Sequence, residues 1–265
     1  MLRFLSRLRY RHIAKNQPSG QPVKIAVYFK YALGEVFIVL VGVLLAFALN
    51  SWWNNVKEAK TRKIILSNLL DEMEYNNQEL QQTLRIDEFV LHNAEALEEI
   101  LDGTPKGEQV AVADTILSAF IIAATNNPST GSLNSILTSG KIDYINNNAL
   151  ITSIITWNNK LDDATEDEQT AFDFIENQFL PAMREQVDLS DIFDNLGKMV
   201  GYAITGAKDN LSLKFLSKTT RLENSNSLIN LVLQREVRLN IAIGALKRLH
   251  EHQIKMLQLI QQVNE

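Results

Sequence analysis

The sequence predicts an all-α protein: an N-terminal transmembrane helix continuing into an elongated helical bundle with long antiparallel helices. Three observations predict it. Between Val36 and Leu49 there is no charged or strongly polar side chain. Leu66, Leu70, Met73, Leu80, Leu84, Leu91, Ala94 and Leu101 recur at steps of three, four or seven, the spacing of one helix face. Near the C-terminus Val232, Leu239, Ile243, Leu246, Leu257 and Ile260 repeat that spacing along a second long segment. The implied domains are a basic cytoplasmic tail and linker (1–30), a transmembrane helix (31–53) and an extracytoplasmic acidic helical bundle (54–265).

The first thirty residues carry Arg3, Arg7, Arg9, Arg11, Lys15, Lys24 and Lys30 and no acid. Leu2, Leu5 and Leu8 alternate with three of these arginines. A helix there would lay a basic stripe on an anionic inner leaflet, and a solvated tail that only sets topology fits equally. Residues 16–22, NQPSGQP, read as a linker on their proline, glycine and polar content.

With Tyr31 to Gly34 and the two tryptophans added, the apolar run is long enough to cross a hydrocarbon core of roughly 30 Å at about 1.5 Å per residue. Tyr28 and Tyr31 open the segment and Trp52 and Trp53 close it, as ring systems favour the headgroup layer. These four are the expected membrane-interface anchors. The basic tail stays in the cytoplasm by the positive-inside bias, which puts the C-terminal domain outside the cytoplasmic membrane, although Lys57, Lys60, Arg62 and Lys63 reduce the asymmetry. Ala46-Phe47-Ala48 offers an A-x-A cleavage pattern. The long charged region before it and the apolar run beyond it favour an uncleaved anchor.

Glu35 lies seven residues from a span centre near Gly42, about 10 Å along the axis, and so just inside the cytoplasmic boundary. It either faces headgroups or pairs with a second helix. Gly42 and Ala46 form a small-xxx-small step that would admit such a helix. Glu35, Gly42 and Ala46 are therefore the expected helix-pairing positions.

Two blocks carry a family resemblance. The first is Tyr31-Ala32-Leu33-Gly34-Glu35, the Val/Ile-rich run with Gly42, and Asn50-Ser51-Trp52-Trp53-Asn54. The second is Leu137-Thr138-Ser139-Gly140-Lys141-Ile142-Asp143-Tyr144-Ile145 followed by Asn146 to Leu150. Together they resemble an uncharacterised family of bacterial single-span membrane proteins, a domain of unknown function. The resemblance implies architecture and no activity. Relatives often carry Leu-Arg where this chain has Leu150-Ile151, so no role of that arginine transfers.

The chain has 265 residues, with 26 Lys+Arg against 31 Asp+Glu. Without the seven basic residues of the tail, 19 stand against 31, a net charge of −12. An acidic domain argues against nucleic acid, which needs a cationic footprint. With no cysteine, neither a disulfide framework nor a thiolate metal site is available.

The first periodic segment predicts a helix of over forty residues ending at Asp102-Gly103, with Asn77, Asp87 and Glu98 interrupting its seam and favouring bundle packing over a strict coiled coil. Val110 to Thr125 reads as a short apolar helix ended by Asn126-Asn127-Pro128. Ser132 to Ser139 reads as a short helix stopped by Gly140, with Asn146 to Asn148 capping a long helix over about 149–184. Residues 187–222 have poor periodicity and three scattered glycines, and the last helix is expected over about 225–263.

No catalytic constellation is found. Ser139-Gly140-Lys141 fails as a P-loop because Ser135 stands where a glycine is needed and Ile142 replaces the magnesium-binding hydroxyl. Glu88, His92 and Glu95 share a face, but a di-iron bundle needs Glu-x-x-His in that order and twice. The acid runs Asp71-Glu72-Met73-Glu74 and Asp162 to Glu168 read as exposed helix surface. No catalytic, cofactor or metal residues are expected. The expected function is a membrane-anchored interaction or structural module, non-enzymatic, with an extracytoplasmic sensor signalling through a partner as the alternative. Expected partners are the lipid bilayer and a second copy of the chain or another envelope protein.

Overall fold

A computed structural model describes residues 25–205 and 218–264; the basic tail up to residue 24, with its linker at 16–22, and the segment 206–217 lie outside the described residues. The architecture is nearly all-α. Helix α1 (Ile25–Asp102) is followed by strand β1 (Gln109–Ala113), α2 (Asp114–Phe120), α3 (Gly131–Thr138), a 3-10 turn at Lys141–Tyr144 and α4 (Asn148–Phe174). A π turn at Ile175–Phe179 leads into α5 (Leu180–Arg184), then α6 (Ser190–Thr205), strand β2 (Thr219–Glu223) and α7 (Asn226–Asn264). The chain divides into two compact units, Met1–Ala59 and Lys60–Glu265.

In the first unit every described side chain from Ala32 to Ala59 is exposed. In the second unit α1 turns one face inward, burying Leu66, Met73, Leu80, Leu84, Ala94 and Leu101 from the predicted stripe. Helix α7 buries Val232, Leu239, Ile243, Leu246 and Ile260. The side-chain contacts fix directions. Gln253 reaches the Met73 carbonyl, His250 meets Gln81 and Lys247 meets Glu88, so α7 runs antiparallel to α1. Trp157 bonds Gln253 while Ala171 meets Arg235, so α7 is antiparallel to α4 as well.

The helix-stop device at Gly140 forms as the sequence predicts, with φ +70° just after α3. Asn147 caps α4, its side chain accepting from the Leu150 N–H at 2.9 Å. The helical run begun at Asn148 continues to Arg184 through the π turn. Pro181 explains that widening: it has no N–H to give the carbonyl four residues back, and its ring crowds that turn. The widened turn keeps Ile175 and Phe179 buried, and Phe179 packs on Phe120 with ring centroids 4.4 Å apart.

The short helix expected over Val110 to Thr125 is only partly formed. Gln109–Ala113 is instead a strand, paired antiparallel to Thr219–Glu223 with Val112 opposite Thr220 and Val110 opposite Leu222. Alternation decides it, because Val112 and Leu222 face the core while Ala111 and Arg221 face out. The ladder is closed by Asn224, fully buried, whose side-chain amide donates to the carbonyls of Leu101 at 2.8 Å and of Thr104. Helix α6 gives the poorly periodic region a regular element, buried through Ile192, Met199 and Ala203.

Glu72 is buried rather than surface-facing as its acid run suggested. Its carboxylate accepts from the Ser132 N–H at 2.6 Å and the Leu133 N–H at 3.0 Å, capping α3 from another helix. One turn on, Asn76 exchanges two 2.7 Å bonds with the Ser129 backbone. Glu72→Ala leaves those α3 amides without an acceptor and is expected to cost about 1–2 kcal/mol, read as a lower urea midpoint for the full chain in detergent micelles.

Candidate functional site

Two features stand out from the fold, and the first is the apolar segment. From Val36 to Leu49 the large aliphatic and aromatic side chains are between 37% and 68% exposed. A helix apolar on every side is stable in water only when other protein covers it, and none of the described residues does. By length and composition this is the one helix among the described residues suited to crossing a membrane. Trp52 and Trp53 at its end are 62% and 64% exposed. Gly42 has open space where a side chain would stand, and Glu35 and Ala46 lie on the exposed surface. Tyr28 and Tyr31 fall within α1, but their side chains lie outside the described residues.

The second feature was not expected. Asp87 of α1, Glu168 of α4 and Arg235 of α7 are 3%, 4% and 1% exposed and line one cavity with Phe172 and a wall of small alanines. The core is split at this level. One apolar cluster includes Leu84, Ala164 and Leu239; the other includes Ala94, Phe174 and Val232. On α4 and α7 the charged residue falls in the gap between the two clusters, so a polar layer crosses the bundle.

The layer is held by backbone. Arg235 donates one guanidinium nitrogen to the Ala171 carbonyl at 2.9 Å and another to the Ile122 carbonyl. Glu168 accepts from the Asn126 N–H at 2.8 Å. Neither carboxylate approaches the guanidinium closely enough for an ion pair within 4.0 Å among the described contacts. Burial pushes the Asp87 carboxyl up to about 7, against the attraction of Arg235. It pushes Glu168 up to about 8, with the Asn126 N–H opposing and Asp87 adding to the rise. Burial also lowers Arg235, to about 10, with Asp87 opposing.

The run Asp162 to Glu168 is thus surface only in part, since its last member is core. Asp87 announced itself by interrupting an apolar seam. Arg235 carried the same signal, standing between Val232 and Leu239 on the inward face of α7. Elsewhere the sequence candidates disperse. Glu88 pairs with Lys247 at 2.7 Å on the surface, and His92 stands 4.0 Å from Glu95 with both exposed. Lys141 reaches the Ser135 hydroxyl at 3.3 Å beside a groove of about 300 Å³ whose nearby α3 amides are already occupied by Glu72.

Comparison with known families places the first feature. Residues 35–164 match the model of DUF6090, a family of unknown function. The DUF6090 segment covers just under half of the chain. It begins at Glu35, takes in Gly42, Ala46, Trp52, Trp53 and the Gly140 connection, and ends inside α4. The resemblance carried by those residues is therefore to an uncharacterised family, as expected. Of the polar layer, DUF6090 spans Asp87 and stops before Glu168 and Arg235. No curated protein and no solved structure matches the chain.

Proposed function

We propose that the protein is a membrane-anchored helical module that works by interaction at the bacterial cell envelope rather than by catalysis. The observation that carries this reading is the apolar segment of α1, uncovered on every side over Val36 to Leu49. Lipid is the solvent that removes the cost of that exposure. The seven basic residues before the segment support a cytoplasmic N-terminus, with the acidic helical body outside the cytoplasmic membrane. Its partner is a second copy of the chain or another envelope protein.

Crosslinking in intact cells, followed by detergent extraction and recovery of the chain, tests the interaction. The expected result is a stable envelope partner or a dimer that forms without added ligand. Finding only uncrosslinked monomer would contradict it. The buried polar layer supports a second reading, an extracytoplasmic sensor whose helices shift against one another. Recovery of a signalling protein only when a small molecule is present would select that reading.

A further inference from the structure

We propose that Asp87, Glu168 and Arg235 form a buried proton-binding site, in which two carboxyl groups on separate helices hold at least one proton at neutral pH against a single guanidinium. The inference does not depend on where the protein is anchored.

Charge counting in the buried layer leads to it. Two carboxylates and one guanidinium, all at most 4% exposed, leave one negative charge uncompensated if every group is ionised. An unpaired buried charge is costly enough that the group takes up a proton instead. The hydrogen bonds agree with this count. Two nitrogens of Arg235 each donate to a backbone carbonyl, Glu168 is offered one backbone N–H, and neither carboxylate stands within 4.0 Å of the guanidinium among the described contacts, so no bidentate pair forms to hold both carboxylates charged.

The third guanidinium nitrogen, Nε, has no acceptor among the described residues. Arg235 borders a cavity that offers about 10 Å³ to the centre of a water-sized sphere, close to the room that one water needs. A water seated there would lie against Asp87, Glu168 and Arg235 and would give the carboxyl groups a route for exchanging a proton. The wall of this cavity comes from α1, α4 and α7 together with the segment after α2. Loss of that proton therefore sets two negative charges, on α1 and α4, against one positive charge on α7. The ligand is a proton, and its release weakens the contact of three helices at one layer.

The pH dependence has a definite sign. Both carboxyls are raised above their ordinary values of 3.8 and 4.5, so the folded chain binds protons that the unfolded chain has released. Their contribution to stability is complete below about pH 4 and is lost as pH rises through about 7 to 8. The charged groups next to these residues are Glu88, which adds to the rise of Asp87 and pairs with Lys247, and Glu236, adjacent to Arg235 in the chain. Glu236 is itself raised to about 7 by burial and by Glu98 and Glu95, so the test uses a Glu236→Gln background.

In that background, the full chain in detergent micelles is unfolded with urea across the range from about pH 6 to about pH 9. The expected result is a midpoint that falls with rising pH, and a clearly shallower fall in Glu168→Gln, whose remaining carboxylate ionises against Arg235. Equal slopes in the two chains would overturn the proposal. Infrared spectroscopy of the Glu236→Gln chain gives a readout that needs no change in the layer. A protonated-carboxyl C=O band that persists at neutral pH and exchanges slowly in heavy water is expected; its absence would also overturn the proposal.

Discussion

Replacing Arg235 with methionine is expected to lower the unfolding free energy of the full chain by about 3–5 kcal/mol, the usual result of removing one partner from a buried charged set. Methionine fills much of the same volume, so a void contributes little. The loss comes from polar groups. The carbonyls of Ala171 and Ile122 lose their donors, at about 1–3 kcal/mol for each buried group left unpaired. Asp87 and Glu168 lose the only buried counter-charge among the described residues and must both be neutral to stay inside. The loss should therefore grow with rising pH. Urea unfolding in micelles measures it, and a change within experimental scatter would show that the layer is hydrated and open rather than buried.

Trp157→Ala is expected to cost a similar amount, about 3–5 kcal/mol, for a different reason. Trp157 is fully buried in the cluster that α1, α4 and α7 share. Its indole N–H donates to Gln253 at 3.2 Å, and Gln253 in turn donates to the Met73 carbonyl at 3.0 Å. One substitution thus opens a void between three helices and removes the tie that orients Gln253. Trp157→Phe keeps most of the apolar contact and loses only the N–H, so it should cost clearly less. Equal losses for the two variants would mean that the hydrogen bond, not the packing, carries the effect.

These variants also mark where the sequence was legible. The inward faces of α1 and α7 could be read because apolar residues repeat at helical spacing over many turns, which leaves few other ways to bury them. Gly140 and Asn147 were readable because each answers a local backbone need, a left-handed stop and a cap. Strand β1 was not, since its five residues carry enough apolar content to resemble a helix turn and its partner β2 lies far away in sequence. Glu168 was hidden for the same reason. It closes a run of acids that solvates readily, and only the Asn126 N–H and the approach of α7 make its burial tolerable. Long-range partners, invisible to periodicity, decided both.

The interaction reading rests on the fate of the uncovered apolar segment. Alkaline carbonate extraction of cell membranes, followed by immunodetection of the full-length chain, tests it most directly. An integral span predicts that the intact chain stays in the membrane pellet and is released only by detergent. A full-length chain in the supernatant, stable in water without detergent, would contradict the account.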